Sequence, residues 1–339
     1  MTQQVNEKGR MENFDHGIGP LFMNPDPDLI RSFYQKKDRK MTNKVMGLKE
    51  AVEKFVHDGD YLAIGGFGVN RTPLAACHEI VRQGKKHMGF AGHTATHDMQ
   101  VLSAGEVYDR LDVAYVIGLE ARGLSSCSRK YVESGKVNVT EWTNYALTLR
   151  LKAAAMGVPY LPTRNMMGTD TFKYSAAKIA MCPYTGKKLV LLPALSPDVS
   201  IVHVHEADIY GNCRFKGIAV SDLDLVNASK RLIITTERLI PNDTIKQDPS
   251  STKIPYHLVD AVCEVPFGAY PGTMYDEYFS DEEHLKEWLT VEKEPEKFKN
   301  FLNRNIYDCK DHEEYIRLNG GGAKMRDLRA KELLLYREA

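Results

Sequence analysis

The chain has no excess of either charge: its 339 residues hold 45 Lys+Arg and 45 Asp+Glu. A nucleic-acid binder shows a basic excess or patch, and none is visible. No apolar run reaches about 18 residues, so no membrane-spanning helix is expected. The opening stretch MTQQVNEKGRMENFDHG lacks the apolar segment of a signal peptide. No C-x-x-C occurs among the six scattered cysteines. That argues against a zinc site or disulfide framework and fits reduced thiols in the cytoplasm, the expected location. Internal repeats and low-complexity tracts are missing too. What is present is ordinary globular composition, 43% hydrophobic and 27% charged, enough for a large core. Near-zero net charge favours association over colloidal repulsion.

Residues 1–40 are rich in Asn, Asp, Pro and charge and read as an N-terminal extension with one short helix near LIRSFYQKK. From Lys44 an α/β rhythm begins. Leu48, Ala51, Val52, Phe55 and Val56 fall on one helix face. YLAIGG follows as a buried strand, and Thr72-Pro73 reads as the N-cap and first position of the next helix. HMGFAG, DVAYVIGL (112–119), KLVLLPAL (188–195), VSIVHVHEA (199–207), RLIITTE (231–237) and VDAVCEVP (259–266) are further strands. Continuous apolar strands alternating with amphipathic helices predict an open α/β fold, a mostly parallel sheet with helices on both faces. This domain is expected over 41–280, with a helical C-terminal appendage over 281–339.

Candidate site residues lie in the loops after strands, where open α/β sheets carry function. Gly65-Gly66-Phe67-Gly68 invites a dinucleotide reading, but the G-x-G-x-x-G order and a later acidic strand end are absent. The loop reads equally as a tight turn without a ligand. Arg71 stands at a helix start, where the macrodipole disfavours a cation. It is therefore expected to face outward and hold a carboxylate from substrate or partner. His93, Thr94 and His97 offer polar and titratable groups at the next strand end, or are surface residues. A metal pair there lacks a third ligand nearby, so no metal is expected. Glu120 and Arg122 could pair with each other in a third loop, and Met167, Gly168 and Thr169 lie in a fourth. Glu133, in E-S-G, reads as an exposed helix end.

Together, VMGLKEAVEKFVHDGDYLAIGGFGVNRTPLAACHEIVRQG, KAAAMGVPYLP, DVSIVHVHEADIYGN, VDAVCEVPFGAYP and DHEEYIRLNG resemble the A (alpha) subunit of family I CoA-transferases, most closely the glutaconate CoA-transferase type. The resemblance spans about residues 44–320. It implies a fold shared with ribose-5-phosphate-type isomerases and a B subunit of similar fold, assembled as an A2B2 heterotetramer. That partner would carry the catalytic glutamate in an S-E-N-G-like motif, which this chain lacks. It also implies ping-pong transfer of CoA through a glutamyl-CoA thioester, with oxyanions held by backbone amides of glycine-rich loops. An acyl-CoA would be substrate, and no cofactor would be tightly bound.

On this resemblance Gly65, Gly66 and Phe67 shape the wall facing the partner's glutamate. His93, Thr94 and His97 meet the acyl chain, and Met167, Gly168 and Thr169 complete the rim. The acyl group stays open between a carboxylate-bearing chain and an aromatic or alicyclic one. The same scaffold carries ring-cleaving hydrolases and decarboxylases. The hydrolase type uses a glutamate of its own alpha chain, where a rough alignment places Asn144, with Glu141 three residues away. A ligand-sensing repressor is the remote alternative, but residues 1–40 lack a helix-turn-helix pattern.

Overall fold

The computed structural model describes residues 15–116 and 123–335. The run Tyr61–Ile64 (β1) is buried at every residue, as a strand covered on both faces must be. It pairs in parallel with Met88–Gly92 (β2), which is followed outward by Tyr108–Val113 (β3) and Asn138–Glu141 (β4). Three later strands are Tyr160–Thr163 (β5), Lys178–Met181 (β6) and Lys188–Pro193 (β7). The long Val199–Ala207 (β8) joins the other side of β1, with Cys213–Arg214 (β9) antiparallel on its end. Arg231–Leu239 (β10) and Ala261–Glu264 (β11) extend that side in parallel. The order β11-β10-β8-β1-β2-β3-β4 therefore reverses direction at β1/β8. Gly89 faces Tyr61 in register, and a Cβ there would lie 2.2 Å from the Tyr61 ring, so only glycine admits that ring.

Helices cover both faces. Leu48–Phe55, Leu74–Arg82, His97–Ala104 and Ser126–Glu133 bury Ala51, Val52, Ile80, Leu102 and Tyr131 on one face. Trp288 and Phe301 from the C-terminal helices join this core. Asn144–Ala155 and Asp222–Ala228 cover the other face. The apolar periodicity that predicts these layers is the one the structure uses.

Two sequence expectations are corrected. Lys188–Pro193 is not a strand of the parallel sheet: it is the centre of a separate antiparallel sheet, β5-β7-β6. Only 182–187 separate β6 from β7, a length that allows a hairpin but no crossover. The third main strand is Tyr108–Val113, starting four residues before DVAYVIGL.

The segment before Met41 is anchored to the body. Asp26 caps the helix Pro27–Lys36, whose Tyr34 hydroxyl donates to the carbonyls of Asn227 (2.9 Å) and Ser229 (2.8 Å). Lys37 Nζ donates to Lys230 O, Leu258 O and Asp260 Oδ2. The Glu282–Val291 helix is tied back through Glu292, whose carboxylate accepts from Ser125 Oγ (2.7 Å) and Ser126 N (2.6 Å) at the start of Ser126–Glu133.

Candidate functional site

In open α/β sheets ligands bind beyond the carboxyl ends of the strands where strand order reverses. Here that point lies between β1 and β8, and the loop leaving β1 is Gly65–Asn70. Gly66 has φ +89°, and a Cβ on it would come within 2.7 Å of Asn70 O. Only glycine fits. The loop's amides are largely committed internally. Gly65 N donates to Ile201 O, Gly66 N to Asp222 Oδ1 (2.8 Å), Phe67 N to Asn70 O and Gly68 N to Thr94 O. Gly68 O accepts the hydroxyls of Thr72 (2.9 Å) and Thr96 (2.7 Å). The loop is thus a preformed wall, and these four amides are not open oxyanion donors.

Arg71 does not face outward. Its side chain is fully buried against Asp222, itself 1% exposed. The guanidinium also donates to Ile218 O and, at 3.3 Å, to His203 O, and lies 4.4 Å from the Phe215 ring centroid. The unfavourable helix-start position is offset by this ion pair. Arg71 therefore acts through Asp222 on Gly66: it positions the glycine wall. Thr72 is not the cap of the next helix either, because its hydroxyl turns back to Gly68 O and the helix begins at Leu74 without a side-chain cap.

His93 is buried beside the wall. Its Nε2 lies 3.0 Å from Thr148 Oγ1 and its Nδ1 3.3 Å from Ser221 Oγ, with the Phe67 ring 5.9 Å away. Burial lowers its pKa, against the charge of Asp222 and a hydrogen bond with the Asn144 backbone. The ring is therefore a neutral donor–acceptor at neutral pH. Thr94 sits at φ +49° with a buried hydroxyl that has no partner. Asn144 Oδ1, in the first turn of its helix, is likewise buried without a partner. Buried polar atoms are normally satisfied, so these two oxygens stand out beside the glycine loop.

The structure brings Gly65, Gly66, Phe67, His93, Thr94 and Asn144 together. It does not bring His97 into that group: its Nδ1 meets Gln100 Oε1 at 2.7 Å and its ring stands edge-on to Trp288 at 4.8 Å. Met167, Gly168 and Thr169 lie in a loop joined to the same helix start through Thr143 Oγ1 and Asn165 Oδ1. Thr169 spends its hydroxyl on Met166 O and the Phe172 amide, capping Asp170–Lys173. Glu120 lies outside the described residues. Glu133 is exposed and paired with Arg129 at 2.9 Å. Glu141 ends β4, and burial followed by the nearby Asp170 raises its carboxyl above the usual range. Among the described residues no His/Cys/Asp/Glu group is arranged to hold a metal, and no helix is long and apolar enough to cross a membrane.

Sequence reasoning missed Asp222, Ser221 and Thr148. Ser-Asp before an apolar run signals a helix start, but nothing local connects Asp222 with Arg71, 151 positions away.

Residues 45–265 match the Coenzyme A transferase family. The chain is 33% identical over 295 residues to the A (alpha) subunit of glutaconate CoA-transferase from Acidaminococcus fermentans, covering 81% of this chain and 91% of that one. The crystal structure of glutaconate coenzyme A-transferase from that organism aligns with a TM-score of 0.81 and 32% identity, over 84% of this chain and 95% of that chain. The cholesterol ring-cleaving hydrolase IpdA subunit of Rhodococcus jostii is 26% identical over 79% of this chain and 94% of its own length. The decarboxylase AibA/AibB aligns with a TM-score of 0.70 and 28% identity, over 78% of this chain and all (100%) of that chain. With the parallel sheet, its reversal at β1/β8 and the glycine wall at that point, these matches show that the chain belongs to the Coenzyme A transferase family.

Proposed function

We propose that this chain is the alpha subunit of a two-subunit CoA-transferase that moves CoA from an acyl-CoA to a carboxylic acid. The observation that carries the reading is the Gly65-Gly66 turn at the β1/β8 reversal, where glycine is required because a Cβ would run into Asp222, Val202 or the loop's own backbone. A turn fixed in this way holds the crevice at which a carboxylate from another chain and a thioester meet. The B subunit supplies the nucleophilic glutamate, and two copies of each chain form the A2B2 assembly in the cytoplasm. CoA rests largely on B, and no cofactor is tightly held. The α/β domain of 41–280 bears the wall, between the 1–40 extension and the 281–339 appendage.

The partner's glutamate attacks the thioester carbonyl, expelling CoA thiolate and leaving a mixed anhydride. The thiolate attacks the glutamyl carbonyl, releasing the donor acid and forming a glutamyl-CoA thioester. The acceptor carboxylate attacks that thioester and again expels the thiolate. Attack of the thiolate on the new acyl carbonyl gives the product acyl-CoA and restores the glutamate. Splitting one displacement into such steps lowers each barrier. Phe67 and the neutral His93 close the crevice, Thr94 Oγ1 and Asn144 Oδ1 present polar atoms to the acyl group, and Met167, Gly168 and Thr169 border it. His97 stands behind the site, against Gln100 and Trp288.

Co-expression with the B chain, addition of an acyl-CoA and borohydride reduction tests this. A partner glutamate reduced to its alcohol is the expected result. Free CoA released without such a product would reject the transferase. It would favour hydrolysis, the reading supported by the raised Glu141 carboxyl at the end of β4; Glu141→Gln should then abolish turnover.

A further inference from the structure

Ser221 stands just before the helix Asp222–Ala228, at the position where a serine ordinarily turns its oxygen to an amide of the first turn. Here it makes no such bond. The residue is 4% exposed, and its hydroxyl lies 3.3 Å from His93 Nδ1. Thr148, one turn into the helix Asn144–Ala155, meets the other ring nitrogen, with Oγ1 3.0 Å from Nε2. One imidazole therefore joins the beginnings of two helices that pack against each other over the sheet. A cap given up for a contact 128 positions away breaks a local rule, and such breaks gather at functional sites.

The next residue links this contact to the glycine turn. Asp222 Oδ1 accepts from the Gly66 amide at 2.8 Å, and Asp222 is paired with the buried Arg71. The Phe67 ring of the same turn lies 5.9 Å from the His93 ring. Ser221 and Asp222 thus fix the imidazole and the glycine turn in one relation. A ring held by both nitrogens keeps one orientation where a free one samples several rotamers. A wall of that kind needs no reordering when substrate arrives.

We propose that Ser221 and Thr148 are positioning residues: they hold His93 by its two nitrogens, so that the ring keeps one orientation beside the glycine turn. The proposal rests on the acyl-CoA reading above and adds to it what governs the imidazole of that site.

The test uses the complex of this chain with its B partner. The donor is whichever of acetyl-CoA, glutaryl-CoA and 3-phenylpropionyl-CoA the wild type turns over fastest. Ser221→Ala should lower kcat roughly tenfold and leave KM within about twofold. In a His93→Leu background no ring nitrogen remains to be held, and the same substitution should change kcat by less than about twofold. Thr148→Val, which keeps the branched shape, should behave alike and serves if Ser221→Ala does not fold. Three results would each overturn the proposal: unchanged kcat in the folded variants, an equal loss with and without His93, or a rise in KM at constant kcat, the mark of direct contact with substrate. A second readout needs no turnover. Exchange of the His93 ring C2 hydrogen for deuterium, read by mass spectrometry on the complex, should quicken about twofold or more in either variant. An unchanged rate would overturn the hold. If the wild type turns over no donor, the transferase reading fails by itself; there, and if His93→Leu is silent, the exchange rate alone decides the assignment.

Discussion

Arg71→Met removes the cation from a pair whose two side chains are 0% and 1% exposed. Asp222 then keeps one donor, the Gly66 amide at 2.8 Å, and faces an apolar side chain in place of a guanidinium. Stranding a buried charge in this way costs about 3–5 kcal/mol. Loss of the contact over Phe215, 4.4 Å from the guanidinium carbon, adds about 0.5–2 kcal/mol. Asp222→Asn strands the guanidinium instead, but leaves it the carbonyls of Ile218 and His203. The double variant should recover about 1–3 kcal/mol relative to the sum of the singles. Urea unfolding followed by fluorescence reads this directly, since Trp142 and Trp288 are the chain's two tryptophans and are 2% and 1% exposed. If Arg71→Met unfolds within about 1 kcal/mol of wild type while turnover collapses, Arg71 acts on substrate and the positioning role is wrong.

Thr94→Val keeps the branched shape and deletes an unpartnered hydroxyl, so stability should hold within about 1 kcal/mol while turnover of the complex falls roughly tenfold; unchanged turnover removes Thr94 from the site. Burial pushes His284 down to about 3 and His312 to about 4, and lowers His78 strongly. Their stabilisation is complete above the unfolded value of about 6.5 and is lost as pH falls toward the folded values. Asp98, raised to about 6 by burial, works in the opposite sense, as do Glu141 and Asp224, while the lowered His93 and His205 add to the histidine side. The melting temperature should therefore drop between about pH 7 and about pH 5, and a flat profile refutes the account. Lys37→Met leaves Asp260 with only part of its bonding and should cost about 2–3 kcal/mol in urea unfolding. Trypsin should also cut faster within residues 27–40; equal cutting rates would show that Lys37 does not hold the helix.

Much of this was legible because burial leaves a local trace. Ala51, Val52 and Phe55 repeat at helical spacing, β1 is an uninterrupted apolar run, and Val and Ile residues recur along β8 and β10. Gly65, Gly66, Phe67, His93 and Thr94 stand out in the sequence because they follow such strands, and the structure sets them side by side. What escaped depends on pairing across the chain. The run 188–193 is as apolar as a parallel strand, and only its hairpin with Lys178–Met181 makes it antiparallel. Arg71 looked free because its acceptors, Asp222, Ile218 O and His203 O, all come from beyond residue 200. His97 looked like a loop residue because the ring that covers it, Trp288, belongs to the C-terminal helices.

The bond between Ser125 and Glu292 spans 167 positions, and it has a consequence in time. During synthesis at about 5–20 residues per second, Ser125 waits roughly 8–33 s for its carboxylate. Through that interval the Ser126 amide has no anion, and the helix Ser126–Glu133 is held by its packing, its Ser125 cap and the bond from Tyr131 to Tyr108 O. The nascent chain must carry this helix start without its anion until residue 292 has been made. A chaperone bound there, or an early encounter with a partner chain, would meet the protein in a form that the finished molecule no longer shows.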